Sequence, residues 1–407
     1  MGTAVKGAID ECSLITNWNQ FVSKYGSYDA NSYLAYAVRA FFENGGSRCY
    51  VSRVVHKNEG VNTSEASTGS IISDESTPTE LITVDAINDG IWGDNIKVEI
   101  ANYDVVDKTF DVKISYKTEQ VELFEEVVLD NIEGYINNVS NYIKVTLITD
   151  SPETVTLADQ TVQLSGGNDG LADITDSDYI GDSSEKSGLY AFDTVSVNIV
   201  AIPGIATTAV HQGIVTYVEG RKDCFGILDM PLGKTPATAL TYKTTEANLS
   251  SERSAIYYPW IYANDPAGVG KSPRKLLPPS GYVAGIYART DNARGVWKAP
   301  AGTDTVVLGA LDLEYKVNNA EQDTLNPNMI NVVRSLPGNG ICVWGARTLK
   351  KGDYTYVPVR RTNTFIESSL LANLNWAVFE PNDEVLWNRI KTVAGAFLNG
   401  IKVNKII

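Results

Sequence analysis

Hydrophobic positions recur along this chain with two different periods, and the period switches twice. Over residues 32–43 (SYLAYAVRAFFE), Leu34, Val38, Phe41 and Phe42 stand at i, i+4, i+7 and i+8, one face of a helix. A shorter helix is predicted just before it, over 17–25 (NWNQFVSKY). Asn44-Gly45-Gly46 ends the second helix, because glycine takes the left-handed cap conformation freely. Residues 49–55 (CYVSRVV) then alternate as a strand. Residues 58–80 are rich in Ser, Thr, Glu and Gly and read as a linker. After them come short strand-like runs at 96–100, 110–116, 121–129 and 142–147, with 155–157 and 162–164 extending the set. This pattern predicts a small antiparallel β domain inserted over 80–168, closed by the turn cluster Ser165-Gly166-Gly167-Asn168-Asp169-Gly170.

A strand–helix alternation resumes beyond the insert. A buried-type strand is expected over 195–202, ended by Pro203-Gly204, then a helix over 208–221 and a strand over 224–228. That order predicts a parallel βαβ unit. A helix near 245–254, a strand around 256–262 and a helix-capable stretch bounded by prolines over 277–302 follow. The C-terminal part is expected to hold strands at 340–344 and 354–361, a helix at 364–374 and a strand at 376–379. Pro381-Asn382-Asp383 caps a last helix over 384–398, on which Leu386, Ile390, Val393 and Phe397 share a face.

Composition narrows the class. With 407 residues, 43% hydrophobic and 20% charged, the chain is globular and long enough for more than one core. Its longest apolar stretch, 195–205, falls short of the ~20 residues that span a bilayer. The first residues lack the apolar core of a secretory signal. Four well-separated cysteines do not make a disulfide scaffold and suit a reducing setting. Net charge is −15, which argues against nucleic acid as a partner. The charge is unevenly spread: residues 59–188 hold 27 acids and 6 bases, while 271–407 hold 17 bases and 11 acids.

Candidate chemistry is sparse. Asp265–Ser272 (DPAGVGKS) resembles a phosphate-binding loop, but Asp265 replaces the first glycine and Pro273, Pro278 and Pro279 crowd the helix that should follow. An α/β enzyme or nucleotide-binding protein using Gly268–Ser272 is the alternative function. The two histidines, His56 and His211, have no zinc-site or catalytic spacing around them, and no G-x-S-x-G elbow occurs. A third reading, carbohydrate binding, draws on the 21 tyrosines and 7 tryptophans.

Five segments in order resemble the tail sheath protein of contractile-tailed bacteriophages, prophages and phage-tail-like bacteriocins. They are 41–54 (FFENGGSRCYVSRV), Tyr257-Tyr258-Pro259-Trp260, 278–302 (PPSGYVAGIYARTDNARGVWKAPAG), 325–349 (LNPNMINVVRSLPGNGICVWGARTL) and 359–386 (VRRTNTFIESSLLANLNWAVFEPNDEVL). The resemblance implies an α/β and α+β multidomain fold. A discontinuous α/β middle domain would take 1–75 and 171–345, and an outward-facing β domain 80–168. An incomplete, tube-proximal α+β domain would take 346–407. It implies a structural subunit, not an enzyme, that polymerises helically around a tail tube and contracts to drive the tube through a cell envelope. No cofactor, metal or catalytic residue is implied. The implied partners are other copies of the chain, the tail tube protein, and baseplate and tail terminator proteins, with no nucleic acid and no membrane insertion. The implied place is a phage or phage-like tail, assembled in the bacterial cytoplasm.

In that family, terminal arms add strands to neighbouring subunits, and strand addition satisfies an open sheet edge. The strands expected at 354–361 and 376–379 are assigned to the receiving sheet. Subunit-interface candidates are Tyr354, Tyr356 and Val357 on that sheet, and Arg360, Arg361, Glu367, Asp383 and Glu384, which are expected to make ion pairs between subunits; tube-facing candidates, a basic lining for an acidic tube, are Arg389, Lys391, Lys402 and Lys405. Family members extend further at both ends. The chain is thus expected to be a trimmed or short form, monomeric or weakly associating.

Overall fold

The computed structural model describes residues 1–58, 60–148 and 156–403. Its α/β part is organised by a five-stranded sheet in the order Ile199–Val200, Phe225–Asp229, Ser254–Tyr258, Ile330–Leu336, Gly340–Val343. The first three pairings are parallel and the last is antiparallel. FGILD and SAIYY are buried at every position, as strands covered on both faces must be. Helix Thr208–Arg221 lies over one face, where Val210, Ile214 and Val218 join a core with Leu228, Ile256 and Val332. Helix Ser280–Arg294 lies over the other, where Val283 and Ile286 join Ile227, Tyr257 and Val333. The Thr207 hydroxyl caps the first of these helices by accepting from Val210 N at 3.2 Å.

Some boundaries differ from the sequence pattern. The strand expected over 195–202 is confined to Ile199–Val200. The helix expected near 245–254 lies earlier, at Pro236–Thr241, and continues through a π turn at Tyr242–Glu246. Pro236 opens that helix because the first turn needs no N–H from it. The strand expected around 256–262 is two strands. Its second half, Ile261–Asn264, belongs to a separate antiparallel sheet with Arg274–Leu277 and Ala310–Leu313.

The first segment joins this body from far away in sequence. Helix Leu34–Glu43 crosses Ser280–Arg294 with the two backbones nearly touching. A Cβ at Gly281 would stand 2.6 Å from the Cα and carbonyl oxygen of Ala37, and one at Gly285 2.6 Å from the carbonyl oxygen of Phe41. Two glycines four residues apart thus form one smooth helix face.

Residues 68–163 hold two antiparallel sheets around their own core. One has the order Ile143–Leu147, Glu80–Ala86, Thr68–Ile72; the other Gln160–Gln163, Ile96–Asp104, Thr109–Tyr116, Glu119–Val128. Ile82, Val84, Val98, Ile114 and Val145 fill the space between them. The linker expected over 58–80 is therefore only partly a linker, since Thr68–Ile72 pairs with Glu80–Ala86. The strand expected over 155–157 begins outside the described residues, and 156 and 157 are in no strand. Arg53, wholly buried, ties this part to the first segment by donating from Nη1 to the carbonyl oxygens of Gly7 and Asp89, at 3.2 and 2.8 Å.

The strands expected over 354–361 and 376–379 do not form. Val357–Leu374 is one helix, followed by a 3-10 turn at Asn375–Ala377 and the last helix, Glu384–Val403. Pro358 sits in the first helical turn, where it is tolerated. A strand would send Arg360 and Arg361 to opposite faces. On the helix both reach carboxylates of the α/β body, and that pairing decides between the two conformations.

Candidate assembly surface

The start of helix Val357–Leu374 is anchored by buried arginines. Arg361 donates to both carboxylate oxygens of Asp291, at 2.9 and 2.5 Å, with its guanidinium 4.8 Å from the Tyr287 ring centroid. Arg360 donates to Glu367 at 2.9 Å and Glu252 at 3.4 Å, and its guanidinium lies 4.3 Å from the Tyr354 ring centroid. Arg253 reaches the same Glu367 carboxylate at 3.4 Å. Forked guanidinium–carboxylate geometry of this kind is directional and holds a helix in one orientation. The ion pairs of Arg360, Arg361 and Glu367, expected between subunits, are thus made inside the chain, and Val357 is wholly buried beside them.

Past this anchor the helix leaves the core: beyond Thr362 none of its residues is buried. Leu386, Ile390, Val393 and Phe397 form the half-buried stripe of the last helix, and Phe365 and Phe397 meet with ring centroids 6.4 Å apart. Several other apolar side chains of this helix pair face outward. Phe379 is 99% exposed, Val385 74% and Leu371 73%, with Val378, Trp387 and Phe365 also exposed. Exposed large apolar side chains are what a contact surface needs when they are contiguous. Tyr356 is exposed at its near end. Asp383 and Glu384 are exposed at its turn, where Asp383 caps the last helix by accepting from Leu386 N at 2.9 Å.

The basic candidates lie on the last helix. The Arg389 guanidinium stacks 4.0 Å from the Trp376 ring centroid, and Lys391 and Lys402 are exposed; none of the three is in an ion pair among the described residues. Lys405 lies outside the described residues. Leu371, Phe379, Val385 and Trp387 were not singled out from sequence. Their signal was available, as apolar residues off the stripe that packs.

The loop resembling a phosphate site is the tip of a β-hairpin. It leads into strand Arg274–Leu277, so no helix N-terminus faces it. Asp265 accepts from the Tyr36 hydroxyl at 2.7 Å and from Ala267 N at 3.1 Å, which fills the place of the missing glycine with a fixed carboxylate. His56 Nδ1 lies 3.0 Å from the Asp178 carboxylate. His211 is buried, its Nδ1 2.7 Å from the Tyr242 hydroxyl, and burial pushes its pKa down to about 4. All four cysteines are free, and the described residues include no cluster of three or more His, Cys, Asp or Glu placed to hold a metal. No helix among the described residues is long and apolar enough to cross a membrane.

Residues 172–349 match the family described as the phage tail sheath protein central domain. The chain is 24% identical to the tail sheath protein of Enterobacteria phage T4 over 265 residues, 59% of this chain and 39% of that protein. Matches to other curated tail sheath relatives span between 20% and 51% of their lengths. Among solved structures, a sheath tail protein from Listeria innocua superposes with a TM-score of 0.68 at 17% identity, covering 98% of this chain and 83% of that one. The contracted helical sheath of the anti-feeding prophage superposes with a TM-score of 0.57 at 21% identity, covering 99% and 76%. The parallel sheet, its two covering helices and the Tyr257–Trp260 corner all fall within residues 172–349, the segment that matches the phage tail sheath protein central domain.

Proposed function

We propose that the chain is a structural subunit of a contractile sheath, a brick that stacks helically with its own copies around a tail tube. The observation that carries this reading is the C-terminal helix pair. It is clamped to the α/β body at one end by Arg360 and Arg361 and turns Leu371, Phe379 and Val385 outward at the other. Such a surface on a rigid lever suits an assembly whose subunits hold contact while they rotate, the packing-driven switching of a bistable lattice. Within it, Tyr356, Asp383 and Glu384 contribute polar rim contacts, and Arg389, Lys391 and Lys402 face an acidic tube. The antiparallel β part over 80–168 faces outward. Contraction of the lattice drives the tube through a target envelope; tube, baseplate and terminator proteins are the partners, and the place is a phage or phage-like tail. The α/β body itself is scaffold, with no bond chemistry assigned to it.

The chain by itself is expected to be monomeric or weakly associating, so electron microscopy of the protein supplied with its tail tube tests this. Hollow helical sleeves are expected, and Phe379→Ser combined with Leu371→Asp is expected to abolish them while leaving the melting temperature of the subunit unchanged. Failure to form sleeves around the tube overturns the reading, as does assembly that ignores the two substitutions.

A further inference from the structure

An open groove of about 700 Å3 separates helix Trp18–Tyr25 from the antiparallel β part, and the assembly reading makes no use of it. Trp18 and Tyr28 form one wall, their ring centroids 4.9 Å apart; Tyr116 and Tyr142 form the other, 5.9 Å apart. All four are half-buried. Lys6 lines the groove with its ammonium 4.9 Å from the Trp92 ring centroid and 5.1 Å from that of Tyr142. The ammonium makes no ion pair or hydrogen bond among the described residues, and its partial burial lowers its pKa. Glu122, the carboxylate that acts on it, is already taken by Ser140 Oγ at 2.6 Å and Asn141 N at 2.9 Å. Lys117, also lining the groove, stands 5.6 Å from the Tyr116 ring centroid and is in no ion pair among the described residues.

In a chain of net charge −15, two ammonium groups that form no ion pair among the described residues share one concavity. Aromatic faces offer flat apolar surface to the C–H groups of a ligand ring, and each ammonium can make a charge-assisted contact to a carboxylate. Asn19, Ser23 and Ser27 add side chains on the rim with no partner of their own among the described residues. Strand Thr109–Tyr116 is paired on both edges, so at Tyr116 the groove offers rings rather than open backbone. That favours a ring-shaped ligand over an added peptide strand.

We propose that this groove binds an acidic oligosaccharide of the uronic-acid class, its sugar rings stacked between the two aromatic walls and its carboxylates on Lys6 and Lys117. The site is independent of self-assembly, and its test is run on the soluble full chain, with sleeve formation scored separately. Calorimetric titration with a short oligogalacturonate is compared with a malto-oligosaccharide of equal length and with poly-glutamate. Saturable binding of the acidic sugar is expected, with the neutral sugar at least about tenfold weaker and Lys117→Gln reducing affinity about tenfold, as loss of one charge-assisted contact implies. Trp18→Ala is expected to weaken binding comparably, with melting curves checking that each variant folds. Lys117 is exposed, so its variant keeps the test open if Trp18→Ala does not fold. No saturable heat with oligogalacturonate, unchanged affinity in Lys117→Gln, or poly-glutamate binding as tightly as the sugar overturns the proposal.

Discussion

Substituting Ala for Gly281 sets two effects of opposite sign against each other. Inside a helix alanine is better than glycine by about 1 kcal/mol. Here, though, the new Cβ would lie 2.6 Å from Ala37 Cα and carbonyl oxygen and 2.8 Å from Ala37 Cβ. Non-bonded carbons rest about 3.5–4.0 Å apart, so the two helices must part by about 1 Å at their crossing. The obstacle is backbone, and no side chain can rotate out of the way. Overpacking costs about 1–3 kcal/mol, and a backbone-to-backbone clash belongs at the upper end. Parting the helices also loosens Tyr36, Ala40, Tyr282 and Ile286, which share that core. Set against the helix preference, a net loss of about 2 kcal/mol remains. Gly395, in the last helix with nothing within 4 Å of an added Cβ, supplies the comparison. Gly395→Ala keeps the helix preference without the clash and gains about 1 kcal/mol. Urea unfolding combined with hydrogen exchange on peptides covering 280–294 and 384–403 reads the two helices separately. Exchange over 280–294 that is as slow in Gly281→Ala as in the parent would refute the close-crossing argument.

Arg361→Met leaves the Asp291 carboxylate without its partner. With 27% of that side chain exposed, the expected loss is about 2–3 kcal/mol, below the ~3–5 of a fully enclosed pair, and Asp291→Asn in the same chain recovers part of it in denaturant titrations. Two buried groups act oppositely on acid stability. Burial holds His211 down to about 4, so its contribution is present above the ordinary histidine range and lost as pH falls towards 4. Burial raises Asp229 to about 6 despite hydrogen bonds from Ser280 and Gly204, so its contribution is full below the ordinary Asp range and lost as pH rises towards 6. Each amounts to about 3 kcal/mol, and between pH 4 and 6 they largely cancel. Asp229→Asn removes one side of this balance. The urea midpoint of the variant should fall steeply from about pH 6 to 4 where the parent is flat, and matching pH profiles would remove the assignment. Phe379→Ser alone, at a side chain 99% exposed, should shift subunit stability by less than about 0.5 kcal/mol while reducing light scattering from assemblies.

The elements legible in the sequence are those whose period and ends agree. Helix Thr208–Arg221 has its threonine cap and the strand after it, and the β part has clean alternation with polar turns. Leu386, Ile390, Val393 and Phe397 at helical spacing predicted the packed face of the last helix. The resemblance to tail sheath proteins was carried by motifs within the segment that matches the family, 172–349, and on either side of it. The candidate surface was legible only in outline. Tyr356, Asp383 and Glu384 are exposed as an interface needs, but Arg360, Arg361 and Glu367 are spent inside the chain. The run YTYVPVRR alternates like a strand. Only the positions of Glu252 and Asp291, more than 60 residues away, make it a helix, because a buried guanidinium must find its carboxylate and helical geometry lets both arginines do so.

Much of the local order was therefore written in the sequence: the type of the strongly periodic segments, such as helix Thr208–Arg221 and the strands of the β part, and which face of the last helix is apolar enough to pack. Tertiary structure alone decided what depends on distant partners: the bare glycine face against Ala37, the intrachain destination of the arginines, and the two lysines gathered in an aromatic groove. Periodicity is a property of neighbours a few residues apart, whereas burial, steric approach and charge pairing are set by whichever distant segment folding brings alongside.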